Sequence, residues 1–196
     1  MNSFVAVGAI IIAYFCGTLP IAILIAKSKG IDITTFGSGN PGASNVARAL
    51  GTKYGVLVFV GDALKGALPV AAVMSDRPIA YACAAATVSG HVFPVTRKFK
   101  GGKGVATGAG SLLPLHPILL IGAALAWLIV TKATKKASIA SIAIVPMLVV
   151  AFIISGTPGW EIFALIGIGA LVEIRHASNI KRLLSGTEPP VTGSTV

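Results

Sequence analysis

The chain has 196 residues, of which 55% are apolar and 11% are charged, and its formal net charge is +10. Soluble domains carry about 25% charged residues, so this composition excludes an ordinary soluble domain and predicts an integral membrane protein. The cations lie in short loops between apolar runs, not on a basic face interleaved with aromatic residues, so nucleic-acid binding is not expected. Cys16 and Cys83 lie in apolar runs without Cys-x-x-Cys spacing, which favours neither a disulfide framework nor a zinc site.

The apolar runs predict seven helical segments. The first run, residues 4–26, is too long for the apolar core of a signal peptide and long enough to cross a bilayer, so a retained first span is expected, with a kink or close packing at Gly17 and Pro20. The run at 105–130 is interrupted at 113–117 and predicts two shorter helices of about 10 and 15 residues. The predicted segments cover residues 4–26, 54–74, 78–95, 105–130 in two pieces, 139–154 and 160–174.

The positive-inside rule selects a topology for these segments. If residues 105–130 crossed the membrane as one helix, the basic residues at 132–136 would lie opposite the basic loop at 97–103. If the chain enters and returns at 113–117, all 16 Lys and Arg residues except Arg77 and Lys65 lie on the inner side. The prediction is therefore an all-α membrane protein of seven transmembrane helical segments, two of them short, with an external N-terminus and a cytoplasmic C-terminus. Residues 1–188 are expected to form a single polytopic domain, followed by a short cytoplasmic tail at 189–196.

Asp62 and Lys65 lie inside the second predicted span. Their i, i+3 spacing puts them on one helix face, where they can pair. An unpaired charge at such a depth is costly, so a charged residue there indicates a polar interior or a function. The sequence leaves open whether the pair is structural or supports a nearby polar site.

The first polar cluster covers residues 36–51. It contains Gly37-x-Gly39-x-x-Gly42, the spacing of a dinucleotide fingerprint, but no strand precedes it, so that interpretation is rejected. Arg48 is expected on a short helix entered after Pro41, where it can bind phosphate through two hydrogen bonds. A capped turn between two spans is the alternative. The candidate substrate-binding residues here are Ser38, Gly39, Asn40, Gly42, Ser44, Asn45 and Arg48.

The second cluster, residues 90–108, combines four cations with glycines that free the backbone N–H groups to face an anion. A helix is expected to open at Gly104, and its N-terminus favours phosphate. The cluster lacks the Walker spacing, and His91 is expected to hydrogen-bond at a helix end. A basic loop flanking two spans is the alternative. The candidates are Lys100, Gly101, Gly102, Lys103, Gly104 and Thr107.

The third cluster, residues 175–188, follows the last span. His176 and Asn179 share a face if the segment is helical, and the histidine can accept a proton or hydrogen-bond a phosphate. Arg182 and Glu188 complete the candidates, and a basic segment binding anionic lipid is the alternative. The chain carries neither paired acids, an Asp-rich Mg²⁺ site nor a Gly-x-Ser-x-Gly elbow, so neither metal nor cofactor is expected.

The three clusters, in this order, resemble the motifs of the bacterial acyl-phosphate:glycerol-3-phosphate acyltransferases of the PlsY type. The segments that carry the resemblance are residues 37–45, 90–94 with 98–107, and 175–188. The resemblance implies transfer of a fatty acyl group from acyl phosphate to the sn-1 hydroxyl of glycerol 3-phosphate, giving lysophosphatidic acid and phosphate, the first step of phospholipid synthesis. It also implies seven helices in the bacterial inner membrane with the motifs at the cytoplasmic face, surrounded by membrane lipid. We expect a monomer.

Two departures from the family pattern stand out. Residues 135–141 replace an Arg-Tyr-Val-Ser-Leu-Ala-Ser-type run; the aromatic residue is missing, yet Ser138 and Ser141 keep their places. The first cluster carries Pro41 and Ser44 where the family often has other small residues or Thr. By resemblance, Ser138 is a substrate-binding candidate, and Ser141 joins His176 and Asn179 as the catalytic set.

We expect the phosphate of glycerol 3-phosphate on Arg48 and Lys103, helped by the catalytic set, and the leaving phosphate on the amides of residues 38–42 and 101–104. The proton acceptor is either His176 or the phosphate of the acyl phosphate. The His-x-x-x-x-Asp signature of CoA-dependent acyltransferases is absent, which disfavours a thioester donor. A carrier for an organic phosphate is the competing class, favoured by the short helices and by the Asp62–Lys65 pair. The clustering of polar residues at one face and the lack of a clear repeat argue against it.

Overall fold

The computed structural model describes residues 1–191, and within that range every regular element is helical. The chain divides into two compact units, Met1–Pro117 and Ile118–Val196, here called unit 1 and unit 2. Residues 192–196 of the predicted tail lie outside the described range. The first unit contains α1 (Ser3–Thr18), α2 (Ile21–Lys27), α3 (Ala43–Leu50), α4 (Thr52–Ala71), α5 (Arg77–Val92), a 3₁₀ turn (Val95–Arg97) and α6 (Val105–Leu112). The helices α7 (Pro117–Thr134), α8 (Ala137–Ile154), α9 (Gly159–Ile174) and α10 (Ala177–Leu184) follow.

Five segments of the described chain are long and apolar enough to cross a membrane. They are Ser3–Lys27, Thr52–Ala71, Arg77–Arg97, Pro117–Thr134 and Ala137–Ile154. Large apolar side chains such as Phe4, Ile118 and Phe163 are almost fully exposed, as expected of surfaces that face lipid. The helix α9 has 16 residues and α6 has 8, so both are shorter than a standard span of about 20 residues. The count of seven spans and the orientation of the termini stay predictions.

The first predicted span is interrupted, as expected, at Pro20. Proline has no N–H to donate, and α1 ends at Thr18 while α2 begins at Ile21. The side chain of Asn2 accepts a hydrogen bond from the N–H of Val5 at 2.9 Å and so caps the start of α1. The first span is therefore a long and a short helix.

The predicted break at 113–117 is confirmed, but the two helices differ in length from the prediction. The first, α6, has only 8 residues, because the N–H groups of Leu115 and His116 bond back to the carbonyl of Leu112 and close the helix. The second, α7, has 18 residues, because Pro117 fits its first turn and the helix continues beyond the apolar run to Thr134.

Glycines bring the helices of unit 1 into backbone contact. A Cβ at Gly17 of α1 would overlap the carbonyl oxygen of Thr87, and one at Gly90 of α5 would overlap that of Tyr14. The helices α4 and α6 cross in the same way, since a Cβ at Gly66 or Gly110 would overlap a carbonyl oxygen of the facing helix. Small residues at such crossings replace hydrophobic burial as the means of packing helices in a bilayer.

Larger side chains form the interior of unit 2. Phe152 and Ile144 of α8 and Leu165, Ile168 and Val172 of α9 are buried. Their helices pack against each other, and α10 follows α9 after a single turn at Arg175 and His176. This turn places the third polar cluster directly beyond the apolar part of α9.

Candidate active site

The first cluster is organised around the buried side chain of Asn45. Its Nδ2 donates to the carbonyls of Ile33 at 3.2 Å and Phe36 at 2.9 Å. Its Oδ1 accepts a hydrogen bond from the N–H of Ser38 at 3.2 Å. One amide side chain thus folds the loop at 33–38 onto the first turn of α3, because both of its polar atoms bond to loop backbone.

Arg48 lies one turn beyond Asn45 on α3 and completes the group. Its Nη2 donates to Asn45 Oδ1 at 3.2 Å and stands 3.4 Å from Ser38 Oγ. The same serine hydroxyl lies 3.4 Å from the N–H of Asn40. The structure therefore brings together four of the predicted residues of this cluster.

The remaining candidates of the first cluster shape the backbone. Gly39 has a φ of 67°, in the left-handed region that favours glycine. Gly42 is the N-cap of α3, and a Cβ there would lie 2.8 Å from the side-chain nitrogen of Asn40. Ser44 is half-buried in the first turn of α3.

The second cluster packs against the end of α5. The N–H of Gly102 donates to the carbonyl of His91 at 3.1 Å, and both Gly101 and Gly102 are buried. A Cβ at Gly101 would overlap the His91 carbonyl, and one at Gly102 would overlap the His91 ring. These glycines are therefore required by close packing as well as by the freedom of their N–H groups.

The cations and hydroxyl of the second cluster are exposed to different degrees. Lys100 is exposed and Lys103 is half-buried. Gly104, with a φ of 85°, is the N-cap from which α6 begins, as predicted. Thr107 is fully buried on α6, and its Oγ1 makes no hydrogen bond within residues 1–191.

A narrow cleft in unit 1 joins the first two clusters. Its lining includes Leu19, Pro41, Asp62, Lys65, His91 and Gly102. The predicted pair is formed in its lining, with Lys65 Nζ 2.7 Å from Asp62 Oδ1. Pro41 brings the first cluster to this cleft and Gly102 brings the second.

The third cluster, in unit 2, is held by the carboxylate of Glu188. Asn179 Nδ2 donates to Glu188 Oε1 at 2.6 Å, and Arg182 Nε donates to Oε2 at 2.7 Å. The backbone turns to allow this, since the N–H of Glu188 bonds to the carbonyl of Arg182. Both carboxylate oxygens thus accept hydrogen bonds from the chain itself.

These contacts change the acidity of Glu188. Burial raises the pKa of the carboxyl, but the nearby Ser138 hydroxyl, the hydrogen bonds from Asn179 and Arg182, and the charge of Arg182 outweigh it. The resulting pKa lies below the ordinary value of 4.5, so Glu188 is ionised at neutral pH. Ser138 Oγ is itself buried and makes no hydrogen bond of ordinary geometry within the described part of the chain.

His176 is buried at the start of α10. Its Nδ1 lies 2.8 Å from the carbonyl oxygen of Val172, which can only accept, so Nδ1 carries the proton. In the neutral ring this leaves Nε2 as the basic nitrogen. The carbonyl of His176 accepts from the N–H of Asn179 at 2.8 Å, so the two predicted residues share the first turn of α10.

Ser141 is buried on α8 and accepts a hydrogen bond that the sequence did not suggest. Trp127 Nε1 of α7 donates to Ser141 Oγ at 3.0 Å. An indole N–H is only a donor, so Ser141 retains its own proton for another acceptor. The only signal in the sequence was the indole N–H of Trp127, which lies within the apolar part of α7 and needs an acceptor there.

Tyr14 is a second residue that sequence reasoning missed. Its hydroxyl donates to the carbonyl of Phe93 at 2.8 Å and accepts from the N–H of Val95 at 3.1 Å. Both bonds lie just beyond α5, where the second cluster begins. Within residues 1–191, no group of three His, Cys, Asp or Glu side chains is arranged to hold a metal ion.

Known proteins match the chain over nearly its whole length. A family model described as glycerol-3-phosphate acyltransferase matches residues 7–186. A glycerol-3-phosphate acyltransferase of Aquifex aeolicus is 43% identical over 183 residues, covering 91% of this chain and 95% of the relative. Another from Neisseria meningitidis serogroup B is 40% identical over 196 residues, covering 95% and 97%.

Two solved structures match in fold as well as in sequence. They are crystal structures of PlsY (YgiH), described as an integral membrane glycerol 3-phosphate acyltransferase, in a glycerol 3-phosphate form and a lysophosphatidic acid form. Their TM-scores are 0.90 and 0.87, at 42% identity and with 94% of each chain covered. The chain is thus an integral membrane protein, and it belongs to the glycerol-3-phosphate acyltransferase family.

Proposed function

We propose that this protein transfers a fatty acyl group from acyl phosphate to the sn-1 hydroxyl of glycerol 3-phosphate, giving lysophosphatidic acid and inorganic phosphate. Family membership supports the acceptor, and the two forms of the solved relative carry the names of this acceptor and this product. The observation that carries the proposal is the hydrogen-bonded group of Ser38, Asn45 and Arg48, whose cluster lines one cleft through Pro41 together with Gly102 of the glycine-rich basic loop. Such a set of cations, amides and hydroxyls suits phosphate-bearing substrates.

Positioning is the main task in this reaction. Acyl phosphate is a mixed anhydride with a good leaving group, so little further activation is needed. Two phosphorylated substrates must be held together against their mutual repulsion, with the hydroxyl close to the carbonyl carbon. Arg48 and Lys103 would neutralise the phosphate of glycerol 3-phosphate, helped by Ser141, His176 and Asn179. The backbone amides of residues 38–42 and 101–104 would receive the leaving phosphate.

The acyl phosphate's own phosphate is the proposed acceptor of the hydroxyl proton, and His176 is the alternative. The proton on His176 Nδ1 leaves Nε2 able either to accept a proton or to hydrogen-bond a substrate. We expect His176→Gln to keep near-normal kcat while the KM for glycerol 3-phosphate rises, because an amide can hydrogen-bond but is not basic. A collapse of kcat with unchanged KM would assign proton transfer to His176.

The proposed location is the bacterial inner membrane, with seven helical segments, an external N-terminus and the three clusters at the cytoplasmic face. The proposed working unit is a monomer with one polytopic domain over residues 1–188. Cysteine labelling of intact cells tests the orientation, since a cysteine placed at exposed Lys100 should react only after the cells are permeabilised. Membership in an acyltransferase family argues against the carrier alternative.

Phosphate release tests the reaction directly. Purified, detergent-solubilised protein is given palmitoyl phosphate with and without glycerol 3-phosphate, and then palmitoyl-CoA in place of palmitoyl phosphate. We expect phosphate release that requires glycerol 3-phosphate, and no product from the thioester. Release that ignores the acceptor, or equal use of the thioester, contradicts the proposal.

A further inference from the structure

The buried pair Asp62–Lys65 contacts more than its own helix. Lys65 Nζ lies 2.7 Å from Asp62 Oδ1 in an ion pair and donates a hydrogen bond, also 2.7 Å, to the carbonyl of Leu19. That carbonyl lies at the break between α1 and α2, where it also accepts a hydrogen bond from the N–H of Ile21 at 3.1 Å. The ammonium group thus connects α4 to the interrupted first span.

Asp62 contacts a third element through His91. The ring atom Nδ1 of His91 lies 3.7 Å from Asp62 Oδ1, at the last turn of α5. The opposite edge of the same ring supports the loop, since a Cβ on Gly102 would overlap Nε2, and the N–H of Gly102 bonds to the His91 carbonyl. The imidazole therefore stands between the carboxylate and the backbone of Gly102.

Both contacts beyond the pair lie where a helix ends: Leu19 follows α1, and His91 is in the last turn of α5. A pair kept only to neutralise two charges would need no partners beyond itself, yet both side chains are buried with additional contacts to separate helices. The pair also lines the cleft to which Pro41 and Gly102 contribute. The pair thus contacts both the first span and the end of α5, and the loop at 100–104 packs on that end of α5. This loop is here called the glycine–lysine loop.

We propose that Asp62, Lys65 and His91 are positioning residues that hold the glycine–lysine loop in the conformation that binds glycerol 3-phosphate. This inference rests on the proposed function, which assigns phosphate binding to that loop. Lys65 holds the Leu19 carbonyl and orients Asp62, Asp62 fixes the ring of His91, and the ring supports Gly102. The direction of the N–H groups at residues 101–104 then depends on a buried charge pair on another helix.

The test removes both charges together, because a single substitution would leave one buried charge without its partner. The variant Asp62→Leu/Lys65→Met keeps similar volumes and leaves no uncompensated charge. Binding of glycerol 3-phosphate is measured by calorimetry on purified protein in detergent, together with kcat, KM and the thermal unfolding midpoint. We expect Kd and KM to rise about tenfold, the effect of one misplaced hydrogen bond to a charged ligand, with kcat within about twofold of the parent.

Tyr81→Phe is the matched control on the same helix. Its hydroxyl lies 2.7 Å from His116 Nε2 near the far end of α5, ten residues or about 15 Å of helix from His91. We expect a lower unfolding midpoint and an unchanged Kd. A purely structural role for Asp62 and Lys65 would give this same pattern in the double variant, and that result overturns the inference.

The exchanged pair Asp62→Lys/Lys65→Asp separates positioning from charge balance. It restores neutrality, but it offers the Leu19 carbonyl no donor and places a cation near His91. We expect weak binding to persist, and recovery of parent affinity contradicts the inference. If neither double variant folds, His91→Asn carries the same expectation, because it shortens the side chain that supports Gly102, and unchanged affinity there also overturns the inference.

Lys103→Met separates this inference from the proposed function. Unchanged affinity in that variant contradicts the role of the glycine–lysine loop in phosphate binding. Weakened binding in Lys103→Met together with parent affinity in Asp62→Leu/Lys65→Met contradicts only the positioning role. Calorimetry needs no acyl donor, so both results are independent of the donor that the enzyme uses.

Discussion

Unit 1 and unit 2 hold their predicted site residues by different means. In unit 1, glycines let the backbones of α1 and α5, and of α4 and α6, touch, and the second cluster packs glycines directly on the end of α5. In unit 2, side chains make the decisive contacts: Asn179 and Arg182 bond to Glu188, and Trp127 bonds to Ser141. The first unit should therefore be sensitive to added volume, and the second to lost polarity or charge.

The difference follows from the chemistry that each unit presents. A loop that offers backbone N–H groups needs a fixed backbone, and close packing of glycines supplies it. A group of polar side chains needs fixed rotamers, and hydrogen bonds to a buried carboxylate supply those. Four substitutions test this comparison, from the largest expected effect to the smallest.

Gly110→Val should be the most damaging. The added side chain would overlap the carbonyl of Ala63 and separate α6 from α4, so we expect the free energy of unfolding to fall by about 3 kcal/mol or more. Thermal unfolding in detergent measures the loss. Gly122→Ala on α7 is the control, because nothing lies within 4 Å of its Cβ; stability there should stay constant or rise by about 1 kcal/mol. Equal losses of unfolding free energy in Gly110→Val and Gly122→Ala would contradict the expectation that close glycine contacts make unit 1 sensitive to added volume.

Asn45→Ala tests the exception within unit 1, a polar side chain that holds a loop. Its removal leaves the carbonyls of Ile33 and Phe36 without their amide donor, and Arg48 without one acceptor. We expect a loss of about 2 kcal/mol in unfolding free energy and a raised KM for glycerol 3-phosphate. Asn2→Ala, which removes an exposed helix cap, should cost less and leave KM unchanged. A normal KM in Asn45→Ala would mean that the loop does not depend on this side chain.

Glu188→Gln tests the charge that holds the third cluster. At neutral pH we expect a loss of about 1–2 kcal/mol, since two hydrogen bonds lose their ionised acceptor. Lys181→Gln, an exposed charge change on α10, the helix that carries Asn179 and Arg182, should stay within about 0.5 kcal/mol of the parent.

The pH dependence of Glu188→Gln has a definite sign. The folded-state pKa lies below the ordinary 4.5, so the stabilisation is fully present above pH 4.5 and is lost as the pH falls through the folded-state pKa. The stability difference between parent and variant should therefore shrink in acid. A difference that stays constant from pH 7 down to acid would show that the charge of Glu188 is not what stabilises the cluster.

Trp127→Phe should have the smallest effect, and on activity more than on stability. Ser141 loses the N–H that orients its hydroxyl, so we expect the KM for glycerol 3-phosphate to rise about threefold with kcat little changed. Trp160→Phe, at a tryptophan of α9 that is 47% exposed and lies outside the proposed binding set, is the control and should leave both constants unchanged. An unaltered KM in Trp127→Phe would mean either that Ser141 does not bind the substrate or that Trp127 does not orient the Ser141 hydroxyl.

Local rules predicted the interruptions of the helices. Pro20 ends α1, and the proline-containing stretch at 113–117 separates α6 from α7, because proline acts within one turn of its own position. The lengths of the helices could be predicted less well. The helix α7 continues to Thr134 because backbone hydrogen bonding does not stop where apolar side chains stop.

The residues of each polar cluster could be predicted from the sequence, but the hydrogen bonds between them could not. The i, i+3 spacing of Asp62 and Lys65 predicted their pairing, whereas the contact of Lys65 with Leu19 depends on how α1 and α4 pack. The bonds from Tyr14 to Phe93 and Val95 join residues about 80 positions apart, and no periodicity in a single sequence encodes such a contact.

The crossing of Gly17 and Gly90 has a consequence for biogenesis. About 70 residues separate the two glycines, so at roughly 5–20 residues per second the ribosome needs several seconds to complete α5 after α1 has emerged. During that interval α1 must reside in the lipid without its partner, which suits a helix that carries no charged residue. The helix α4 meets a shorter delay before α6 is made, since about 40 residues separate Gly66 from its contact at Thr107. Its Asp62 and Lys65, one turn apart, can neutralise each other from the moment of insertion.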